Sequence, residues 1–184
     1  QEIFAEDLMI QMFTTADKVN TLKYEMHKSE RIEGGVKKSI VFSKFRRYPL
    51  GIYLKQIDPR KGLEVLYPEY IGSEKVIINP NSFPWFNFKT DPNGSIMRND
   101  QHHSITDSGF DHFMEIMQYL ISRYQNEIKD LVTLNNDTVF DGKQCHVVVF
   151  NNPHFKYIDH EVKEGENLFN IASKIKISEL IRFF

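Results

Sequence analysis

"TLKYEMHKSERI", residues 21–32, is the stretch on which the fold turns. Its side chains alternate: Leu22, Tyr24 and Met26 point one way, while Lys23, Glu25 and His27 point the other. A period of two belongs to a strand with one buried face. The turn EGGV (33–36) leads into KKSIVFSKFRR (37–47), so the two segments form a hairpin. LGIYLKQI (50–57), GLEVLYP (62–68) and EKVIINP (74–80) follow at short intervals, with DPRKG (58–62) and IGSE (71–74) as turns. Short strands joined by tight turns predict an antiparallel meander.

Helices flank that meander. FAEDLMIQMFTTADKV (4–19) places Leu8, Met12, Ala16 and Val19 on one face, with Phe13 beside it. In SGFDHFMEIMQYLISRYQNEI (108–128), Phe110, Phe113, Met114, Met117, Leu120, Ile121, Tyr124 and Ile128 form a continuous apolar stripe. Ser108 is read as its N-cap, with Asp111 near the positive end of the helix dipole. The stripe needs a large apolar partner, and the sheet is the expected one. LVTLNNDTVFDGKQCHVVVFNNP (131–153) is a second hairpin around Asp141-Gly142. Between strands and helix, NPNSFPWFNFKTDPNG (79–94) carries three prolines and crowds Phe83, Trp85, Phe86 and Phe88 together. Prolines keep it out of a central strand; it is expected to fold over the core with its aromatics buried.

Composition bounds the function. The chain has 184 residues, 41% hydrophobic and 26% charged, with net charge −2, which suits a soluble globular domain with a small appendage. It lacks the basic excess expected of a nucleic-acid binder. Fifteen Phe and eight Tyr suit a β-rich core, or a pocket for an apolar ligand. The single cysteine, Cys145, excludes an intrachain disulfide and is expected to be a small buried hydrophobe in its strand. No run approaches the ~18 apolar residues of a membrane span. The start QEIFAED (1–7) is neither a signal peptide nor headed by Met, and reads as a mature or trimmed terminus.

Chemistry is sparse. His102 and His103, followed by Asp107, Asp111 and His112, hint at a metal. Adjacent histidines in a strand face opposite sides, and the helix is expected to begin only after Asp107, so the segment reads as a polar helix entry. The basic stretch KFRRYP (44–49) reads as the solvated end of a strand. Nucleophile-elbow, phosphate-loop and dinucleotide motifs are absent. The expectation is a non-enzymatic protein without metal or cofactor.

Two resemblances add to this reading. TLKYEMHKSERI, PLGIYLKQIDPRKGLEVLYPE, INPNSFPW, MRNDQHHSITDSGF and DGKQCHVVVF, in that order and spacing, resemble the bacterial domain-of-unknown-function family 1571. Such families look similar in layout to LolA-like lipoprotein carriers. That resemblance implies an α+β fold in which a curved antiparallel half-barrel is covered by amphipathic helices. It also implies an exported protein, in the periplasm or associated with the outer membrane, with a hydrophobic concave face for a lipid or lipoprotein acyl chain. By pattern alone, Tyr53, Tyr67, Trp85, Phe86 and Phe88 are the candidates for contact with such a ligand. The second resemblance lies in HEVKEGENLFNIASKIKIS (160–178), where Val162, Gly165, Glu166, Asn167, Leu168, Ile171 and Ala172 look like the start of a LysM domain. It implies a peptidoglycan partner, met by Gly165, Glu166 and Asn167. The chain ends at RFF before a closing strand, so docking of the tail as a helical cap is the stronger expectation. The expected organisation is a half-barrel domain over 1–153 and a truncated, mostly helical LysM-like segment over 154–184. Lipid binding is the leading function, peptidoglycan association the alternative. A metal hydrolase using His102, His103 and Asp107 comes last.

Overall fold

The computed structural model describes residues 4–32, 34–99, 101, 103–154, 156, 159–166 and 171. Among them the fold is mixed α+β: a six-stranded antiparallel sheet, a two-stranded sheet and four α-helices. The described chain falls into two compact units, one from Val19 to His112, the other from the segment ending at Lys18 together with Phe113 to Ile171.

The unit from Val19 to His112 is the expected meander. Strands β1 (Thr21–Ile32), β2 (Gly35–Arg46), β3 (Gly51–Asp58), β4 (Glu64–Tyr67), β5 (Val76–Asn79) and β6 (Phe88–Thr90) lie side by side in chain order. β1 and β2 pair from Thr21↔Arg46 to Ile32↔Gly35. The alternation in β1 is real: Leu22, Tyr24 and Met26 are half-buried, while Lys23, Glu25 and His27 are exposed. β2 departs from regular register against β3 between Ile40 and Val41, a site where an antiparallel pair bends and twists more strongly.

Register defines the two faces. The rows Leu22–Phe45–Ile52–Tyr67 and Tyr24–Ser43–Leu54–Val65–Ile78–Phe88 share one face, called inner here. Phe45, Ile52, Val65, Val76 and Ile78 form a buried cluster with Met97 and Ile105. Met97 comes from the short helix α2 (Ser95–Arg98) and Ile105 from a 3-10 turn (Ile105–Asp107), so the connector after β6 packs onto this face. Ile52 is only 1% exposed; burial of a side chain that size contributes about 1.5–3 kcal/mol.

The other unit gathers helix α1 (Ala5–Asp17), most of α3 (Asp111–Arg123), α4 (Ile128–Leu131) and a hairpin of β7 (Val132–Phe140) and β8 (Lys143–Phe150). Its core is Ala5, Met9, Leu131 and Val132, with Phe13, Ile121, Tyr124, Ile128, Val148 and Phe150 packed around them. Asp141 (φ 50°) and Gly142 (φ 72°) make the hairpin turn, the pair of left-handed residues that a two-residue connection between twisted strands requires.

Four expectations are corrected. The buried face of α1 is Ala5, Met9 and Phe13, spaced by four, rather than the face of Met12, which is exposed. Helix α3 begins at Asp111, and Ser108 instead ends the preceding 3-10 turn. Cys145 is half-buried, because its hairpin leaves most of β7 open to solvent. The aromatics of 79–94 are mostly exposed: Phe83 at 85%, Trp85 at 81% and Phe86 at 65%, whereas Phe88 enters β6 and packs on the core.

Candidate ligand and metal sites

The first site follows from strand parity. Side chains opposite to the inner rows stand on the outer face, where Lys23, Lys44, Tyr53 and Leu66 form one row and Thr21, Arg46 and Gly51 the next. Between them lies an open depression of about 500 Å³. The missing side chain at Gly51 leaves room for the Arg46 guanidinium: a Cβ there would sit 3.4 Å from Nη2. Arg46 is held by donating Nε–H to the Pro49 carbonyl at 2.9 Å.

Among the described residues the lining carries three cations, Lys23, Lys44 and Arg46, and no carboxylate. Its outward apolar side chains are the Tyr53 ring and the 40%-exposed Leu66, with Phe42 beside them on the same face, and the inner-row strand residues Leu22, Phe45 and Ile52 line it as well. Lys44 Nζ stands 5.5 Å from the Tyr53 ring centre and 5.9 Å from that of Phe42, and Lys23 Nζ lies 5.6 Å from Phe42. These are cation–π distances, which fix ammonium groups over the rings. The Tyr53 hydroxyl donates to Glu64 Oε1 at 2.6 Å. That hydrogen bond, assisted by burial and the carboxylate charge, pushes the Tyr53 pKa up to about 12. Reciprocally, the bond from Tyr53, with help from Asn79 and Lys55, holds the Glu64 carboxyl below its ordinary value.

The second site lies in the connector from residue 101 to His112. Ser104 caps the 3-10 turn: its N–H donates to Asp107 Oδ2 at 2.8 Å and its hydroxyl accepts from the Thr106 N–H at 3.4 Å. Ile105 is buried in the core. Gly109 then takes φ +95°, with the Phe45 ring against it. Asp111 is gripped by Arg47, whose Nε and Nη2 each donate to one carboxylate oxygen. The outcome is that ligand atoms of His103, Asp107 and His112 all lie within 4.8 Å of one another, each residue half-buried. Burial holds His103 below the ordinary imidazole pKa, opposed by the Glu30 and Asp107 carboxylates. Glu30 and Lys28 extend the β1 rows as a half-buried ion pair at 3.1 Å, and Lys28 also donates to Gln101 Oε1 at 3.4 Å.

Matches to families and known proteins are few. A family model described as "Protein of unknown function (DUF1571)" matches residues 19–170. The chain belongs to the DUF1571 family. No curated protein and no solved structure matches it.

In this DUF1571 chain the residues singled out for an apolar ligand do not converge. Tyr53 stands on the outer face, Tyr67 and Phe88 on the inner face with the core, and Trp85 and Phe86 in the exposed segment before β6. The depression was missed because its cations read as a solvated strand end; strand parity applied to 44–46 would have found it. Of the sequence-predicted metal candidates, His103 and Asp107 come together across a 3-10 turn, with His112 beside them. His102 lies outside the described residues, as does Asn167 of the LysM-like turn. Gly165 has φ +81°, and Glu166 Oε2 accepts from the Lys163 N–H at 3.0 Å and lies 3.0 Å from His160 Nε2. Glu166 thus holds its own turn together.

Proposed function

We propose that this protein is a non-enzymatic, exported component of the bacterial cell envelope that binds an anionic amphiphile, a lipid or an acylated lipoprotein. The observation that carries the reading is the outer-face depression, where three cations surround an aromatic and aliphatic floor. An acyl chain gains about 0.8 kcal/mol for each methylene it buries, and a headgroup phosphate gains from Lys23, Lys44 and Arg46. The proposed shape is a LolA-like half-barrel, supported by the continuous six-strand meander and its irregular register beside Val41. Because the inner face is packed by Met97 and Ile105, the ligand is assigned to the outer one. Residues 154–184 are proposed as an appendage.

The test is co-sedimentation with phosphatidylglycerol vesicles against phosphatidylcholine vesicles. Each lysine near an anionic surface is worth about 1 kcal/mol, so the K23A/K44A variant is expected to bind phosphatidylglycerol about 30-fold more weakly. Equal sedimentation of wild type with both vesicles, or undiminished binding by K23A/K44A, refutes the proposal. Retention on insoluble peptidoglycan without vesicle binding would transfer the function to the tail.

A further inference from the structure

We propose that His103, Asp107 and His112 bind one divalent transition-metal ion of the zinc class. Two imidazoles and a carboxylate are a zinc donor set, and three protein ligands leave a fourth position for water or an exogenous ligand. Zinc bonds of about 2.1 Å bring tetrahedral donors to roughly 3.4 Å from each other. From separations of at most 4.8 Å, the three atoms need to draw together by up to about 1.4 Å to reach that spacing.

The backbone that carries them is already fixed by contacts in which no metal takes part. Ile105 is anchored in the core, Gly109 turns against the Phe45 ring, and Asp111 is clamped by Arg47. These three points bracket Asp107 and hold His112 at the first turn of α3. The Ser104 N–H orients the Asp107 carboxylate through Oδ2, the kind of outer-shell hydrogen bond that positions a ligating carboxylate. Half-burial of all three residues reduces competition from water without closing the site. Softness of the donors favours zinc over magnesium or calcium, which prefer all-oxygen sites.

The experiment is calorimetric titration of the chelator-treated full chain with Zn²⁺, alongside H103Q, H112Q and the H103Q/H112Q pair. Wild type is expected to bind one equivalent, each single variant at least ten-fold more weakly, and the pair none at that site. Circular dichroism checks that the variants are folded. X-ray absorption of zinc-loaded wild type gives a reading independent of any variant, with two imidazoles and oxygen ligands expected. Absence of wild-type binding, equal binding by H103Q/H112Q, or a sulfur ligand from Cys145 overturns the proposal.

Discussion

Replacing Gly109 by alanine tests the physical account of the connector more sharply than any change to its ligands. The backbone at Gly109 has φ +95°, and an added Cβ would lie 3.0 Å from Phe45 Cζ and 3.1 Å from both Cε atoms. Two costs follow. A side chain forced into the left-handed region costs about 1–2 kcal/mol. Phe45 is only 5% exposed, so its ring has little room to retreat, and overpacking adds about 1–3 kcal/mol. Gly109→Ala should therefore destabilise the protein by about 2–5 kcal/mol, measured by urea unfolding followed by circular dichroism. Gly35→Ala is the control: φ is not positive there, and the nearest atom to its Cβ would be the Ile32 carbonyl oxygen at 3.8 Å. That variant should stay within about 0.5 kcal/mol of wild type. Phe45→Leu removes the ring and should recover the overpacking part, a coupling of about 1–3 kcal/mol in a double-mutant cycle. A Gly109→Ala protein as stable as Gly35→Ala would refute the argument.

Two other perturbations have defined outcomes. The Tyr53–Glu64 hydrogen bond favours neutral Tyr53, with its pKa raised from 10.0 to about 12, and charged Glu64, with its pKa lowered. Its stabilisation is therefore whole between the two ordinary pKa values; it is lost as pH rises through about 12 or falls through the lowered Glu64 value. In tyrosinate absorbance, Tyr53→Phe should delete a phenol titrating near 12; an unchanged alkaline limb would contradict the assignment. Trp85, the only tryptophan, is 81% exposed. Its fluorescence should be fully open to iodide quenching and shift little on unfolding in urea; a large red shift on unfolding would mean the loop is covered in solution.

How much of this was legible in the sequence depends on how local each feature is. Alternation in 21–32 is a property of the strand itself, and its hairpin partner follows after one glycine turn, so the meander could be read directly. Helix α1 is different. Leu8, Met9, Ile10, Met12 and Phe13 make it apolar on most sides, so periodicity does not choose a face. The choice falls to the neighbours, Leu131 and Val132. The start of α3 was misplaced because Ser104 and Ser108 both precede it. Ser104 is followed at the right distance by Asp107, and the reciprocal capping pair closes a 3-10 turn there. That leaves Ser108 to end the turn before Gly109 reverses the chain. Burial of the 79–94 aromatics was the least legible, since it depends on whether another element covers them.

The histidine cluster shows why spacing alone does not bring these residues together on paper. His103, Asp107 and His112 are four and five residues apart, which fits neither one face of a helix nor alternate positions of a strand. They converge because three different conformations follow one another: a capped 3-10 turn, a positive-φ glycine and the first turn of a helix. Each is set by its own residue, Ser104, Gly109 and Asp111, and each is tied to the sheet or to its neighbour by contacts unrelated to the histidines. A solvated helix entry does not require that many constraints on ten residues. The convergence also predicts its own weak point. Because Gly109 lies between Asp107 and His112, Gly109→Ala should loosen zinc binding by more than any loss of overall fold accounts for, whereas Gly35→Ala should leave it unchanged. Titrating both variants with Zn²⁺ under conditions where circular dichroism shows them folded decides the matter. Equal zinc affinity in the two would mean that the ligand geometry does not depend on the turn.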